Sequence, residues 1–235
     1  MAKRNAIILL SGGLDSAVAL AIGKSEGFVP FALTVDYGQR HHAELDAARR
    51  VAKALEVERH IVLNVDLTQW GGSALTGDDK VPEGRDVETM GQDIPVTYVP
   101  ARNTILLSLA TAWAETLGTG DIFIGAHTLD YSGYPDCRPE YFDAFAQMAN
   151  LATKAGVEGT FKWRIHAPLL QMNKTQIIQR GSGLNVPFEL TVSCYQAATG
   201  GQACGVCDSC ILRHRAFVEA GVDDPTPYIV EPAAG

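Results

Sequence analysis

Ala6-Ile7-Ile8-Leu9-Leu10-Ser11-Gly12-Gly13-Leu14-Asp15-Ser16-Ala17-Val18-Ala19-Leu20 opens with a short apolar run, turns on two glycines and resumes as an apolar stretch of helical length ending at Ser25. A run of that kind is a strand buried on both faces, and paired glycines allow a tight turn into a helix. In such a turn successive backbone N–H groups point inward and the helix start adds its positive end. Phosphate oxygens fit that nest, with the hydroxyls of Ser11 and Ser16 as further donors. The candidate nucleotide contacts here are Leu10, Ser11, Gly12, Gly13, Leu14, Asp15 and Ser16. Asp15 would be repelled by phosphate without a cation between them, so its expected role is to hold Mg²⁺ on a nucleoside triphosphate. A plainer alternative makes Gly12-Gly13 a turn and Asp15 and Ser16 helix caps.

Two better-known phosphate loops are excluded by what is missing. A Walker loop needs Gly-Lys-Ser/Thr to reach the outer phosphates, and a dinucleotide fingerprint needs a third glycine three residues on. Neither is present. Downstream, strand-length apolar runs and helix-length amphipathic stretches follow one another: Val29–Val35, His41–Leu55, Arg59–Val65, Thr104–Leu117 and Ile122–Gly125. This pattern predicts an α/β fold, a Rossmann-like doubly wound parallel sheet with helices on both faces. In such sheets the nucleotide lies over the carboxyl ends of the central strands. Thr34 and Val35 are thereby placed beside an adenine, and Tyr37, Gln39 and Arg40 follow as candidate contacts in what is otherwise a polar turn.

Two more polar stretches sit where a pocket belongs. Val99-Pro100-Ala101-Arg102-Asn103 precedes a helix. Arg102 can grip a phosphate or a carboxylate bidentately, whereas Asn103 reads equally well as an N-cap. After the strand at Ile122, the loop before the next helix carries Tyr131, Tyr134, Asp136, Cys137 and Arg138. Such a set can stack on a flat heterocycle and read its edge.

Between Asp66 and Pro95 the periodicity stops and Gly, Asp, Thr and Pro dominate. A connection of that length is expected to be a mobile lid or binding loop. From about Gln171 the pattern changes again, to a short helix after Asn173, a cysteine cluster, a basic helix around Ile211–Glu219 and a Pro-rich tail. The predicted organisation is a nucleotide-binding domain over 1–170 and a helical, zinc-binding appendage over 171–235. Cys194, Cys204, Cys207 and Cys210 supply four thiolates, which close a tetrahedral Zn²⁺ shell with no open position and so imply a structural role. An iron–sulfur cluster is the rival, but ferredoxin runs continue with a further Cys and Pro, and here Ile211-Leu212-Arg213 follows. Cys137 stands outside this group.

Bulk properties narrow the partners. The 235 residues carry a formal charge of −8, which argues against a protein that holds nucleic acid and favours a small-molecule substrate. The apolar run Ala6–Leu10 is too short for a signal peptide or a membrane span, so a cytoplasmic protein without membrane contact is expected. In a reducing compartment clustered cysteines read as ligands rather than disulfides.

The phosphate loop, Asp36-Tyr37-Gly38-Gln39-Arg40-His41, Val99-Pro100-Ala101-Arg102-Asn103, Ser132-Gly133-Tyr134-Pro135-Asp136-Cys137-Arg138 and the four cysteines together resemble the 7-cyano-7-deazaguanine synthases. These belong to the PP-loop ATP pyrophosphatases and act in queuosine biosynthesis. The match runs from about Ile7 to Arg215, with the motifs in family order. It implies that ATP, with Mg²⁺, adenylates the carboxylate of 7-carboxy-7-deazaguanine, that ammonia displaces AMP to give an amide, and that a second adenylation on the amide oxygen leads to the nitrile. Asp15, Arg102 and Arg138 are then the candidate catalytic groups, and Zn²⁺ the metal of the cysteines. The chain has no room for an amidotransferase domain and no cysteine before Cys137, so free ammonia is the expected nitrogen source. A homodimer is compatible with this reading. Two rivals stand beside it: a tRNA-thiolating PP-loop enzyme with Cys137 as sulfur carrier, and a zinc-stapled module that binds nucleic acid through Lys174, Arg213, His214 and Arg215. The acidic balance counts against both.

Overall fold

The computed structural model describes residues 4–39, 42–77, 79–85, 90, 94–127, 134–198 and 200–232. Arg40 and Tyr131, two of the expected substrate contacts, lie outside them. The strands are β1 (Arg4–Leu9), β2 (Phe28–Asp36), β3 (Arg59–Asn64), β4 (Asp121–Phe123) and β5 (Arg164–His166). The α-helices are α1 (Leu14–Ser25), α2 (Ala43–Ala54), α3 (Arg102–Thr116), α4 (Pro139–Ala152), α5 (Lys154–Glu158), α6 (Lys174–Gly183) and α7 (Asp208–Ala220). All strand pairs are parallel, in the order β3-β2-β1-β4-β5.

β1 is central, and its alternating side chains feed two cores. Ala6 and Ile8 join Leu20 of α1, Ile177 of α6 and Phe217 of α7 on one face, while Ile7 and Leu9 join Leu107 of α3 and Phe142 of α4 on the other. A strand covered on both faces has no use for polar residues, which is why β1 reads as a continuous apolar run. α1 lies between the sheet and α6 and is buried almost all round, from Leu14 to Gly23. It therefore lacks the polar stripe of a surface helix.

The region after Gln171 contributes to this core rather than hanging beside it, since Ile177 of α6, Phe188 and Phe217 of α7 pack in the same cluster as α1. The long connection after β3 is also packed where it is described. Leu67, Ala74, Leu75 and Val81 are buried against Cys194, Cys207 and Cys210. Gly84 N–H donates to Val206 O at 2.9 Å, and Arg85 pairs with Asp208. In its described residues the connection expected to be a mobile lid or binding loop is thus packed between the sheet and the cysteine cluster, and Leu75 lines the cavity described below. β5 was not anticipated, because a three-residue strand reading Arg-Ile-His carries no periodic signal. No helix of the described residues is long and apolar enough to cross a membrane.

Candidate active site at the sheet switch point

The strand order reverses between β1 and β4, so the loops leaving these neighbours diverge and open a crevice at their carboxyl ends. A cavity of about 270 Å³ occupies that place. Ser11, Gly13, Leu14, Asp15 and Ser16 line it, and the loop is held in shape from within. Ser16 Oγ donates to Gly13 O at 2.9 Å and receives Ser11 N–H at 3.2 Å, so Ser16 is partly committed to its own turn. Gly13, not a side chain, caps α1. Gly12 has φ +92°, and a Cβ there would come within 2.2 Å of Glu44 O, so only glycine lets α2 lie against the loop. Gly125 performs the same service behind it, because a Cβ there would meet the Asp15 carbonyl carbon and Ser16 nitrogen at 2.8 Å.

Asp15 points into the cavity and meets a side-chain cation. Lys174 Nζ stands 2.8 and 2.7 Å from its two oxygens, and His127 Nε2 stands 3.6 Å from one of them. Burial pushes the carboxyl's pKa up, but the Lys174 charge and then His127 more than reverse this, leaving it well below the usual carboxylate range. In sequence Lys174 figures only in the nucleic-acid-binding alternative. One signal was available: a lysine in the first turn of α6, where the helix dipole disfavours a cation, calls for an anion nearby.

The opposite wall carries Tyr37, Gln39, Arg102, Asn103, Tyr134 and Cys137. Arg102 Cζ lies 5.9 Å from the centre of the Tyr37 ring. Asn103 is buried inside α3 and is not its N-cap, a place taken by Ala101 with φ +55°. Instead Asp136 Oδ2 accepts the Asn103 N–H at 3.1 Å, and Asn103 Nδ2 donates to Asp136 O at 3.0 Å and to Cys137 Sγ at 3.4 Å. Asp136 therefore serves the backbone of α3 rather than a ligand edge. Burial, aided by Asp136, pushes the Cys137 thiol up to about 11, so at neutral pH it is protonated and a weak nucleophile. That is the wrong state for a sulfur carrier.

Two expected contacts fall elsewhere. Arg138 is exposed at the N-cap of α4 and does not line the cavity. Thr34 faces away from the cavity that its neighbours Leu33 and Val35 line, and its hydroxyl donates to Leu10 O at 2.6 Å. These positions set an expectation for three variants. Arg138→Ala and Cys137→Ser should keep turnover within about threefold, the serine hydroxyl still accepting from Asn103. Arg102→Ala should lose about 100-fold or more, the scale of a removed charged contact to a reacting group. Steady-state rates decide this, and an Arg138→Ala variant as damaged as Arg102→Ala would return Arg138 to the site.

The cysteine cluster reaches the cavity through Cys194. The sulfurs of Cys194, Cys204, Cys207 and Cys210 lie within 4.8 Å of one another, a group able to hold a metal ion. The separations of 3.9 Å (Cys204–Cys210), 4.0 Å (Cys194–Cys207) and 3.5 Å (Cys207–Cys210) bracket the edge of about 3.8 Å that a tetrahedron with Zn–S bonds of about 2.3 Å requires. Gln196 and Cys204 N–H groups both donate to Cys194 Sγ at 3.2 Å, which favours the thiolate. From Cys194 the chain runs straight back to the phosphate loop. Val192 N–H donates to Gly12 O at 3.0 Å, and Ser193 Oγ accepts Leu14 N–H at 3.4 Å. Arg213 of α7 secures this strap from inside, with Nη1 at 2.8 Å from Thr191 Oγ1 and 3.4 Å from Ser193 Oγ, and Nε at 3.1 Å from Asp224. Buried Arg213 and cavity-lining Lys174 do not assemble a basic surface patch.

A parallel α/β sheet with Ser-Gly-Gly-x-Asp-Ser at its switch point, no Walker lysine and a four-cysteine group beside the loop defines a PP-loop protein. Residues 5–221 match the family described as Queuosine biosynthesis protein QueC. The 7-cyano-7-deazaguanine synthase of Desulfatibacillum aliphaticivorans is 62% identical over 97% of this chain and 97% of its own, and that of Kineococcus radiotolerans 60% over 96% and 98%. The chain belongs to this family. A solved NMN synthetase from Francisella tularensis overlaps 94% of this chain and 74% of its own with a TM-score of 0.48 and 19% identity, too loosely to inform the chemistry.

Proposed function

We propose that the protein converts 7-carboxy-7-deazaguanine and ammonia to 7-cyano-7-deazaguanine, consuming two ATP and releasing AMP and pyrophosphate. The observation that carries this is a single cavity in which the phosphate loop, Asp15 with Lys174, and Arg102 face one another. The N–H groups at the start of α1 would hold the β and γ phosphates, leaving the α-phosphorus to the substrate oxygen. Asp15, ionised and aimed into the cavity, fits Mg²⁺ on those phosphates, and the ion supplies charge against the departing pyrophosphate. Lys174 contributes charge of the same sign from the chain itself. Arg102 fits the substrate carboxylate, and the Tyr37 and Tyr134 rings suit a flat heterocycle. Zn²⁺ fits the four sulfurs and would leave no coordination position for catalysis.

A carboxylate cannot lose oxygen to ammonia directly, so AMP is needed as leaving group, once from the acid and again from the amide. The products should therefore be two AMP and two pyrophosphate per nitrile, measured by phosphorus resonance and mass spectrometry with MgATP, ammonium and the carboxylate. ADP as the main nucleotide product would overturn the reading.

A further inference from the structure

The reaction proposed above takes in a cation, ammonium, and sheds protons, so it needs a base that is not already occupied. Among the described residues, two carboxylates line the cavity. Asp15 is taken by Lys174 and His127. Glu44, in the first turn of α2, is different: among the described residues no hydrogen bond or ion pair reaches its carboxylate. Its position is fixed nonetheless, since its backbone oxygen lies against Gly12 with no room for a Cβ between them. A half-buried carboxylate beside the phosphate loop that, among the described residues, feels the Arg102 charge but receives no hydrogen bond or ion pair is in want of a donor, because an unmet buried charge is costly.

We propose that Glu44 captures ammonium at the phosphate loop and takes its proton, releasing ammonia to attack the adenylated carboxylate. This rests on the adenylation reading above. The carboxylate gains one proton and becomes the acid, and ammonium becomes ammonia. The nitrogen lone pair forms the C–N bond at the acyl carbon while the C–O bond to AMP breaks, its electron pair leaving with AMP. The surplus proton on the new nitrogen goes to solvent, and Glu44 returns its own proton to solvent between turnovers. No oxidant or reductant is involved. The electrostatics agree. Burial pushes the Glu44 carboxyl up to about 7, the Arg102 guanidinium limiting the rise, and a base poised near the working pH both accepts and returns a proton readily. Among the described residues, Arg102 of α3 and Tyr37 after β2 are the charged and titratable groups that act on it. Asp15 and Glu44 thus divide one site into a metal-side and a nitrogen-side carboxylate through their surroundings.

The test compares wild type, Glu44→Gln and Glu44→Asp in two reactions. The first is exchange of labelled pyrophosphate into ATP with 7-carboxy-7-deazaguanine and no ammonium, which reads adenylation alone. The second is amide formation over a range of ammonium concentrations and pH. Glu44→Gln should exchange pyrophosphate within about twofold of wild type, yet lose about 100-fold in kcat/KM for ammonium together with the limb of the pH profile near 7. Glu44→Asp should recover part of that loss. Hydroxylamine, uncharged at neutral pH, needs no deprotonation and should form the hydroxamate at a wild-type rate in both variants. Loss of pyrophosphate exchange in Glu44→Gln, an unchanged ammonium response, or a hydroxylamine rate that falls as far as the ammonium rate each overturns the proposal. Absence of exchange in the wild type would instead strike the adenylation reading itself.

Discussion

Lys174→Met should lower kcat/KM for ATP by about 10³-fold, the upper range for removing one preorganised charged group from a reacting centre. The ammonium of Lys174 lies at the phosphate loop, where negative charge builds as pyrophosphate departs. The substitution also strands Asp15, whose side chain is 26% exposed, with His127 at 3.6 Å. A partly buried charge left in that way costs up to about 3 kcal/mol, or roughly 10 °C in a chain of this size. The double variant Asp15→Asn, Lys174→Met separates the two effects. It should recover most of the melting temperature while staying inactive, since no charge is stranded and neither function is restored. Full turnover in Lys174→Met would remove the residue from the site. The pair's contribution to stability has a defined pH window. Because the folded pKa of Asp15 is depressed, its contribution is complete above the unfolded value of about 4 and is lost only as pH falls through the lower folded value. Stability measured between pH 5 and 9 should therefore show no titration of Asp15.

Cys207→Ser should abolish stoichiometric zinc and lower the melting temperature by about 10 °C or more. A metal held by these sulfurs would be coupled to folding, since Cys207 and Cys210 lie at the start of α7 while Cys194 ends the strap on the phosphate loop. The KM for ATP should rise as well, because Val192 and Ser193 of that strap bond Gly12 and Leu14, and loosening its anchor should weaken both contacts. Metal analysis and calorimetry check the first two effects and initial rates the third. Unchanged zinc content and melting temperature would remove Cys207 from the ligand set, and iron with labile sulfide in the wild type would replace zinc altogether.

What could be read without the structure was whatever is local along the chain. The phosphate loop is legible because strand, glycines and helix are consecutive, and α1 begins and ends where its apolar pattern does. The cysteines are legible from their spacing. Lys174 and Glu44 are much less so: a lysine in the first turn of a helix calls for an anion but does not name Asp15, 159 residues away, and the Glu44 environment is made by an arginine on another helix. Thr34 and Val35 were expected to offer backbone groups to an adenine; because strand side chains alternate, only the Val35 side chain lines the cavity, and that much was available from position alone. The 130–138 stretch was read as one patch, but Cys137 faces inward and Arg138 begins a helix pointing out. Only the direction of the chain at that turn tells them apart.

The strap from Thr191 to Cys194 also bears on how the protein comes to life during synthesis. Leu14 and its partner Ser193 are separated by 179 residues, and Arg213, which secures the strap, comes later still. A growing chain carries its phosphate loop from the outset, yet that loop lacks its far wall until most of the polypeptide has left the ribosome. A chain that stops before Thr191 has the loop but none of the strap that bonds Gly12 and Leu14, so the nucleotide cradle is completed only by residues made near the end of synthesis.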